Sequence, residues 1–213
     1  MSPLKNWGTS RLSPGFPHDN QNRVTRRIDS GNTIYYTYDA AGRMTQAQDN
    51  TGTYGFTYDN MNRLAQTSTH FTSGPTRTFT VQYAYDAASN RVTLTDPENG
   101  TTHYSYDTLN RLTSLNDFQS HNFTFSYDAL SRRTQLTRPN GINTSYSYDN
   151  VSHLLSVLHQ LGSSTVDGAS YTYDSAGNRT AKTDQASNVT SSYGYDAIYQ
   201  LTGVSQGSTT TES

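Results

Sequence analysis

A Tyr-x-Tyr-Asp motif recurs eight times along this 213-residue chain, with phenylalanine in place of the first tyrosine in two copies. A degenerate ninth copy, Phe16-Pro17-His18-Asp19, precedes them, and its Asp19 lies twenty residues before Asp39 of the first full copy. The aspartates of the eight copies lie 20 to 27 residues apart and are Asp39, Asp59, Asp86, Asp107, Asp128, Asp149, Asp174 and Asp196. A unit this short cannot bury a core alone, so the chain must fold as an array of stacked repeats.

The two aromatic residues of each motif predict a β-strand. Residues two apart point to the same face of a strand. The residue between them is small in every copy: Thr37, Thr57, Ala84, Ser105, Ser126, Ser147, Thr172 and Gly194. Fourteen of the 17 tyrosines occupy the two aromatic positions of the motif. Strands laid side by side are therefore expected to form a tyrosine face with cross-strand aromatic pairs.

Each aspartate then starts a turn, because Asp accepts main-chain hydrogen bonds and the fourth residue is often Gly or Asn, as at Gly42 and Asn62. Arginine follows four residues after Asp at Arg23, Arg43, Arg63, Arg111 and Arg132, and five residues after it at Arg91 and Arg179. His153 and Gln200 depart from this rule. The arginine is placed to pair with an aspartate across the turn. A second turn, such as Asn140-Gly141, returns the chain to the next tyrosine strand. The sequence thus predicts an all-β fold of tandem antiparallel β-hairpin repeats.

The residues assigned to the structural repeat are Tyr38, Asp39, Arg43, Tyr58, Asp59, Arg63, Tyr85, Asp86, Tyr106, Asp107, Arg111, Tyr127, Asp128, Arg132, Tyr148, Asp149, Tyr173, Asp174, Tyr195 and Asp196.

Composition decides between an ordered and a disordered array. Leu, Ile, Val and Phe make up only about 15% of the chain, a fraction typical of disorder. The net charge of only -2 and the 17 tyrosines argue against disorder, because tyrosine supplies apolar area. The near-neutral charge gives no electrostatic basis for binding nucleic acid. The absence of cysteine excludes disulfides and thiolate chemistry.

Two insertions interrupt the period. Residues 65–80 are expected to lengthen one hairpin, and residues 153–168 contain the most aliphatic segment. Leucines at 154, 158 and 161 fit a helix, but strand is favoured because the neighbouring segments are all β. We expect a flexible N-terminal segment at 1–15, the repeat array at 16–204 and a flexible C-terminal tail at 205–213.

No apolar stretch is long enough to span a membrane, and residues 1–10 lack the apolar core of a signal peptide. Either the protein is not exported by that route or the chain is part of a longer one.

The motif Tyr-x-Tyr-Asp, a short turn and Arg-Leu-Thr (as at Arg111-Leu112-Thr113) resembles the YD- or RHS-repeat proteins over residues 16–204. The resemblance implies β-hairpins joined into a long spiralling sheet. In large members this sheet closes into a shell around a toxic C-terminal domain, and related shells occur in insecticidal toxin complexes and teneurin receptors. It implies a secreted or cell-surface scaffold, either a shell segment or an interaction module. Nine repeats are too few to close a shell, and no self-cleavage aspartates or toxin domain can be assigned, so encapsulation does not carry over.

Two other functions are compatible with the residues. Some family members are linked to carbohydrate binding, and the tyrosine face offers Tyr104, Tyr106, His121 and Tyr127 for a glycan. A uronate-polysaccharide lyase would use a Tyr or His base beside a cation, for which Tyr146, Tyr148, His153 and Arg132 are the candidates. No cofactor is expected, and no metal site either, because no HxH or HxxxH pair occurs. The expected partners are polysaccharide or a protein at an open strand edge, and open edges also predict self-association.

Overall fold

The computed structural model describes residues 16–29, 31–74 and 76–208. These residues form seventeen β-strands and no helix, which confirms the all-β prediction. The strands are β1 (Arg26–Asp29), β2 (Asn32–Tyr38), β3 (Met44–Gln48), β4 (Gly52–Tyr58), β5 (Leu64–Phe71), β6 (Phe79–Tyr85), β7 (Arg91–Thr95), β8 (Thr101–Tyr106), β9 (Leu112–Asn116), β10 (Asn122–Tyr127), β11 (Arg133–Thr137), β12 (Ile142–Tyr148), β13 (Leu154–Leu161), β14 (Ser164–Tyr173), β15 (Arg179–Asp184), β16 (Val189–Tyr195) and β17 (Leu201–Ser208).

The chain divides into two compact units. Over the described residues, the first comprises 16–84 with 94–99, and the second comprises 85–93 with 100–208. In the first unit β1 to β6 pair antiparallel, each strand with the next. In the second unit β8 to β17 pair in the same way. Each unit is therefore a meander of tandem β-hairpins, as the repeat predicts.

A β-bulge lies at the last tyrosine of the tyrosine strands. In β2 and β3, Thr37 pairs with Gln46 and Tyr38 with Met44, which leaves Thr45 as the extra residue. The extra residues at the seven bulges are Thr45, Ala65, Thr113, Thr134, Leu155, Thr180 and Thr202. Threonine is the extra residue at five of these bulges, including Thr113 of Arg111-Leu112-Thr113, and each bulge increases the local twist of its hairpin.

The two faces of each strand differ as the alternation predicts. In β2, Tyr36 and Tyr38 are half-buried while Thr37 between them is exposed. In the registers of the strand pairs described here, however, the expected cross-strand pairs of motif tyrosines are not found. The strand after each turn lies between successive tyrosine strands, so Tyr104 faces Leu115 and Tyr146 faces Val157. The tyrosines find other partners, described below.

Few side chains are fully buried in the described residues. Ala169 is 7% exposed and Thr144 is 0% exposed. The Thr144 hydroxyl accepts from Arg138 Nη1 at 2.6 Å and shares a hydrogen bond of 2.7 Å with His159 Nδ1. The aromatic rings are mostly half-buried, so contacts between neighbouring repeats, rather than a deep core, stabilise the fold.

The two insertions both lie in β-strands and the loops between them. The segment Leu154–Leu161 is strand β13, as favoured, and β5 and β6 form the hairpin that the first insertion lengthens. β17 continues to Ser208, past the array boundary expected at residue 204, because its pairing with β16 extends to Val189 opposite Ser208. Residues 1–15 and 209–213, expected to be flexible, lie outside the described residues.

Candidate functional site

The turn after each tyrosine strand is built around its aspartate. In the repeat of Asp107, the amide of Asp107 donates to the carbonyl of Arg111 at 3.0 Å, and the amide of Asn110 donates back to Asp107 at 3.0 Å. Carboxylate Oδ1 accepts the amides of Leu109 and Arg111 at 2.9 and 3.0 Å. Asn110 has φ of 61°, the left-handed conformation that Asn tolerates and that closes this kind of hairpin loop.

The same amide-to-carbonyl bond, from Asp to the residue four positions later, recurs at ten aspartates: Asp19, Asp39, Asp59, Asp86, Asp107, Asp117, Asp128, Asp149, Asp174 and Asp196. Asp19 confirms that the degenerate motif at the N-terminus is a true repeat. Asp117 belongs to a return turn and was not recognised from the sequence, because no Tyr-x-Tyr precedes it.

Four of the arginines that lie four residues after Asp, Arg23, Arg43, Arg111 and Arg132, bind two consecutive repeats. Arg111 Nε donates to Asp107 Oδ2 at 2.7 Å, and its Nη1 donates to the carbonyl of Asp128 at 3.0 Å. The guanidinium carbon lies 4.8 Å from the ring centroid of Tyr127, a cation–π distance. The equivalent stacks, at 4.6 to 4.7 Å, are Arg23 on Tyr38, Arg43 on Tyr58 and Arg132 on Tyr148. We call this series the arginine–tyrosine ladder.

The hydroxyl of the second tyrosine makes a further hydrogen bond between consecutive repeats. Tyr127 donates to the carbonyl of Leu112 at 2.9 Å, and Leu112 directly precedes the bulged residue Thr113. Analogous bonds of 2.8 to 3.0 Å are made by Tyr38, Tyr58, Tyr106, Tyr148, Tyr173 and Tyr195. A bulge disrupts the main-chain ladder locally, and the tyrosine of the next repeat supplies a donor there.

Electrostatics follow from these contacts. The side-chain hydrogen bond from Arg43, then the Arg43 amide, hold the pKa of Asp39 below its usual range. In Asp107 the amide of Arg111 is the largest influence lowering the pKa. Burial raises the pKa of Tyr173 above its usual value. The aspartates are thus held ionised as acceptors, and that tyrosine is held neutral as a donor.

The four candidate lyase residues lie close together but are all engaged structurally. Tyr148 donates to the carbonyl of Arg133 at 2.9 Å and lies under Arg132. His153 Nδ1 is 2.8 Å from Asp149 Oδ2. Tyr146 lies 4.9 Å below the guanidinium of Arg133. Most of these contacts recur at the equivalent positions of other repeats, so the cluster has the geometry of a ladder step.

The candidate glycan-binding residues are likewise held by contacts within the sheet and its turns. Tyr104 lies 4.7 Å below Arg91, and Tyr127 lies below Arg111. Tyr106 donates to a main-chain carbonyl. His121 precedes β10, and its Nδ1 is 3.0 Å from Asp117 Oδ2 in the return turn.

Two residues of the ladder were missed in the sequence. Where arginine is shifted to the fifth position, an asparagine holds the fourth. Asn90 Nδ2 donates to Asp86 Oδ2 at 3.0 Å and Asn178 Nδ2 donates to Asp174 Oδ2 at 2.9 Å. The signal was available, since both positions carry a side-chain donor at the place of the arginine.

Over the residues that the structure describes, no cluster of three or more His, Asp or Glu could hold a metal ion. In the same part of the chain no helix is long and apolar enough to cross a membrane.

Strand, aspartate turn, bulge and arginine–tyrosine ladder together define a tandem YD-repeat β-hairpin protein. The family model of the teneurin YD-shell matches residues 5–142, and the chain belongs to this family. Its fold also resembles solved structures of TcdB2-TccC3-Cdc42, with a TM-score of 0.68, 14% identity and coverage of 85% of this chain. The Photorhabdus luminescens Tc holotoxin pore gives a TM-score of 0.65, 15% identity and 86% coverage. The chain spans 12% of the length of either solved chain. A sequence comparison with curated proteins found no match.

Proposed function

We propose that this chain is a structural scaffold, a wall segment built from YD repeats, and that it is not an enzyme. The observation that carries this proposal is that Tyr148 and Arg132 make the contacts of an ordinary ladder step, while His153 is bound to Asp149 of its own turn. A catalytic group needs freedom to bind substrate or exchange protons, whereas these polar atoms are used to join repeats.

The context of the scaffold is proposed from its relatives. The structural neighbours are components of Tc toxin assemblies, and the family is that of a teneurin shell. We therefore propose a secreted or cell-surface setting, with protein rather than polysaccharide as the partner. The open strand edges favour association with another chain, including a second copy. Light scattering on dilute protein tests self-association, and a clean monomer mass at all concentrations contradicts it.

The test of the scaffold role compares equivalent substitutions in different repeats. Tyr58→Phe and Tyr148→Phe remove the same hydroxyl bond, to Met44 and Arg133 respectively. A scaffold predicts similar losses in the free energy of unfolding, on the order of 1 kcal/mol each. It also predicts no unsaturated product, followed by ultraviolet absorbance, from a panel of uronate-rich polysaccharides.

Formation of such a product by the unaltered chain, abolished by Tyr148→Phe but not by Tyr58→Phe, overturns the scaffold proposal in favour of a lyase. A saturable change in tyrosine fluorescence on adding polysaccharide without product overturns it in favour of a glycan-binding module.

A further inference from the structure

We propose that the groove around Asn90 and Tyr106 is a binding site for a guanidinium group, the head group of an arginine side chain. The groove has a volume of about 630 Å³ and is open to solvent. It lies where this chain omits one of its own ladder arginines. The proposal adds a specific ligand to the scaffold and does not depend on the scaffold being inert.

The intact steps of the ladder define what a guanidinium slot consists of. Around Arg111 the slot combines a carboxylate, a main-chain carbonyl, a side-chain oxygen and a ring face. These are Asp107 Oδ2 at 2.7 Å, the Asp128 carbonyl at 3.0 Å, Ser131 Oγ at 3.2 Å and the Tyr127 ring at 4.8 Å. In the Arg43 step an asparagine, Asn62, supplies the side-chain oxygen at 2.8 Å.

The step after Asp86 has the same frame with a shorter side chain. Asn90 Nδ2 reaches Asp86 Oδ2 at 3.0 Å and Asn110 Oδ1 at 2.8 Å, the carboxylate and the side-chain oxygen that an arginine contacts in the intact steps. An asparagine amide ends there and cannot extend over the ring of Tyr106. Tyr106 and Asp107 line the groove beside these residues.

The neighbouring Arg91 does not occupy this slot. Its guanidinium lies 4.7 Å over Tyr104, the first tyrosine of the pair rather than the second. The repeat of Asp128 shows that the two positions are separate. There Arg132 lies over Tyr148 at 4.7 Å and Arg133 over Tyr146 at 4.9 Å at the same time.

The chemistry of the groove favours a planar cation. The face of Tyr106 attracts a cation, and the carbonyl of Asp107 and the side-chain oxygen of Asn110 accept N–H groups. The carboxylate of Asp86 adds negative charge. Burial, with a contribution from Asp86, raises the pKa of Tyr106, while Arg91 opposes that rise, so the ring stays neutral. A guanidinium can donate in several directions within one plane, which an ammonium cannot.

The site at Asn178 is a matched comparison. It has the same Asn-for-Arg substitution, but the residue three positions after the next aspartate is Tyr199, which replaces the Asn or Ser acceptor. A guanidinium there would lack one of the four groups of the slot, so the proposal is restricted to Asn90.

The experiment titrates the full chain with N-acetyl-arginine amide and follows the side-chain amide NMR signals of Asn90 and Asn110. The lysine amide and the neutral citrulline amide are matched probes. We expect saturable shifts with arginine, at a dissociation constant on the order of millimolar, and at least tenfold weaker binding of both controls. An arginine-containing glycine peptide distinguishes the source: tighter binding than the free amide indicates a polypeptide partner, and equal binding indicates a small guanidinium ligand.

Asn90→Arg supplies the missing guanidinium from within, as five other repeats do. It is expected to abolish the titration, whereas Asn178→Arg leaves the Asn90 shifts unchanged. If Asn90→Arg does not fold, Asn90→Gln, which projects further toward the ring, is expected to weaken binding severalfold. Equal binding of citrulline, unchanged binding by both Asn90 variants, or no saturable shift overturns the proposal.

Discussion

The ring of His153 stacks on the ring of Tyr173, with centroids 4.6 Å apart and 20° between the planes. In four other repeats an arginine guanidinium covers the second tyrosine at this place. His153 also makes the contact that arginine makes in those repeats with the aspartate four residues earlier, since its Nδ1 lies 2.8 Å from Asp149 Oδ2. Although partial burial opposes it, the bonds from the His153 amide and ring hold the pKa of Asp149 below its usual range. In this step an imidazole therefore takes the place of the guanidinium, both over the tyrosine and at the aspartate.

We predict that His153→Arg stabilises the chain by about 0.5–1 kcal/mol, because arginine restores the permanently charged guanidinium that covers the second tyrosine in four other repeats. Space for the longer side chain is shown by the first repeat, where Arg23 lies beside Gly42 as His153 lies beside Gly177. Urea unfolding of the variant and the unaltered chain at neutral pH measures the gain.

His103→Arg is the control for the histidine prediction, since His103 is an exposed strand residue on the opposite face from the tyrosines. It should leave stability nearly unchanged. An equal gain from His103→Arg and His153→Arg contradicts the assignment of the gain to the contact with Tyr173.

Acid should unfold the array through its aspartates. The pKa values of Asp39, Asp59 and Asp107 are lowered in the fold by hydrogen bonds from the arginine four residues on. A lowered pKa in the folded state contributes stability above the unfolded value, about 3.9, and this stability is lost as the pH falls through the folded value. We expect the urea midpoint to be flat from about pH 7 to 5 and to fall steeply below about pH 4.

Asp39→Asn is the matched variant for the acid prediction. The amide oxygen still accepts main-chain hydrogen bonds, but the ion pair with Arg43 is lost. The variant should be less stable at neutral pH and lose less on acidification. An acid slope identical to that of the unaltered chain contradicts the assignment of Asp39 as one of its sources.

The strand and turn of each repeat were predictable from sequence because the same residue types recur at nearly the same spacing. The spacing of Asp39, Tyr38 and Arg43 fixed strand, turn and ion pair in advance, and the left-handed residue at position four was expected from Gly42. The stacking of arginine on tyrosine was not, because it depends on which strand lies beside which. The sequence suggested tyrosine against tyrosine, whereas an intervening strand places Leu115 opposite Tyr104.

The slot at Asn90 was less predictable still. A shift of arginine from the fourth to the fifth position looks like harmless drift in a repeat. Only the structure shows that the shift moves the guanidinium from the second tyrosine to the first, as for Arg91 over Tyr104. Whether the ring of the second tyrosine is covered depends on how far the side chain at the fourth position extends, and the spacing of the motif does not reveal this.

The hydroxyl bond of the second tyrosine gives a direct stability prediction. Tyr127→Phe removes the 2.9 Å bond to the carbonyl of Leu112 and keeps the ring under Arg111. A half-buried carbonyl loses its donor, so we expect a loss of about 1 kcal/mol in the free energy of unfolding. Tyr104→Phe is the control, since no hydroxyl bond of Tyr104 is found among the described residues. It should cost less than about 0.5 kcal/mol, and equal losses from both substitutions contradict the assignment.

Tyr199 is a site where the repeat is locally strained. Its φ is 63°, the left-handed conformation, at the turn position where other repeats have Gly, Asn or Ser. A side chain other than Gly, Asn or Asp costs about 1–2 kcal/mol there, and the Tyr199 side chain is 64% exposed, so little packing offsets that cost. We predict that Tyr199→Gly raises the free energy of unfolding by about 1 kcal/mol. Ile198→Gly, at the adjacent residue with 69% exposure and no positive φ, should instead be neutral or destabilising. Chemical unfolding of the pair decides the point: if both glycine variants shift stability in the same direction and by the same amount, the strain at Tyr199 is not what limits this turn.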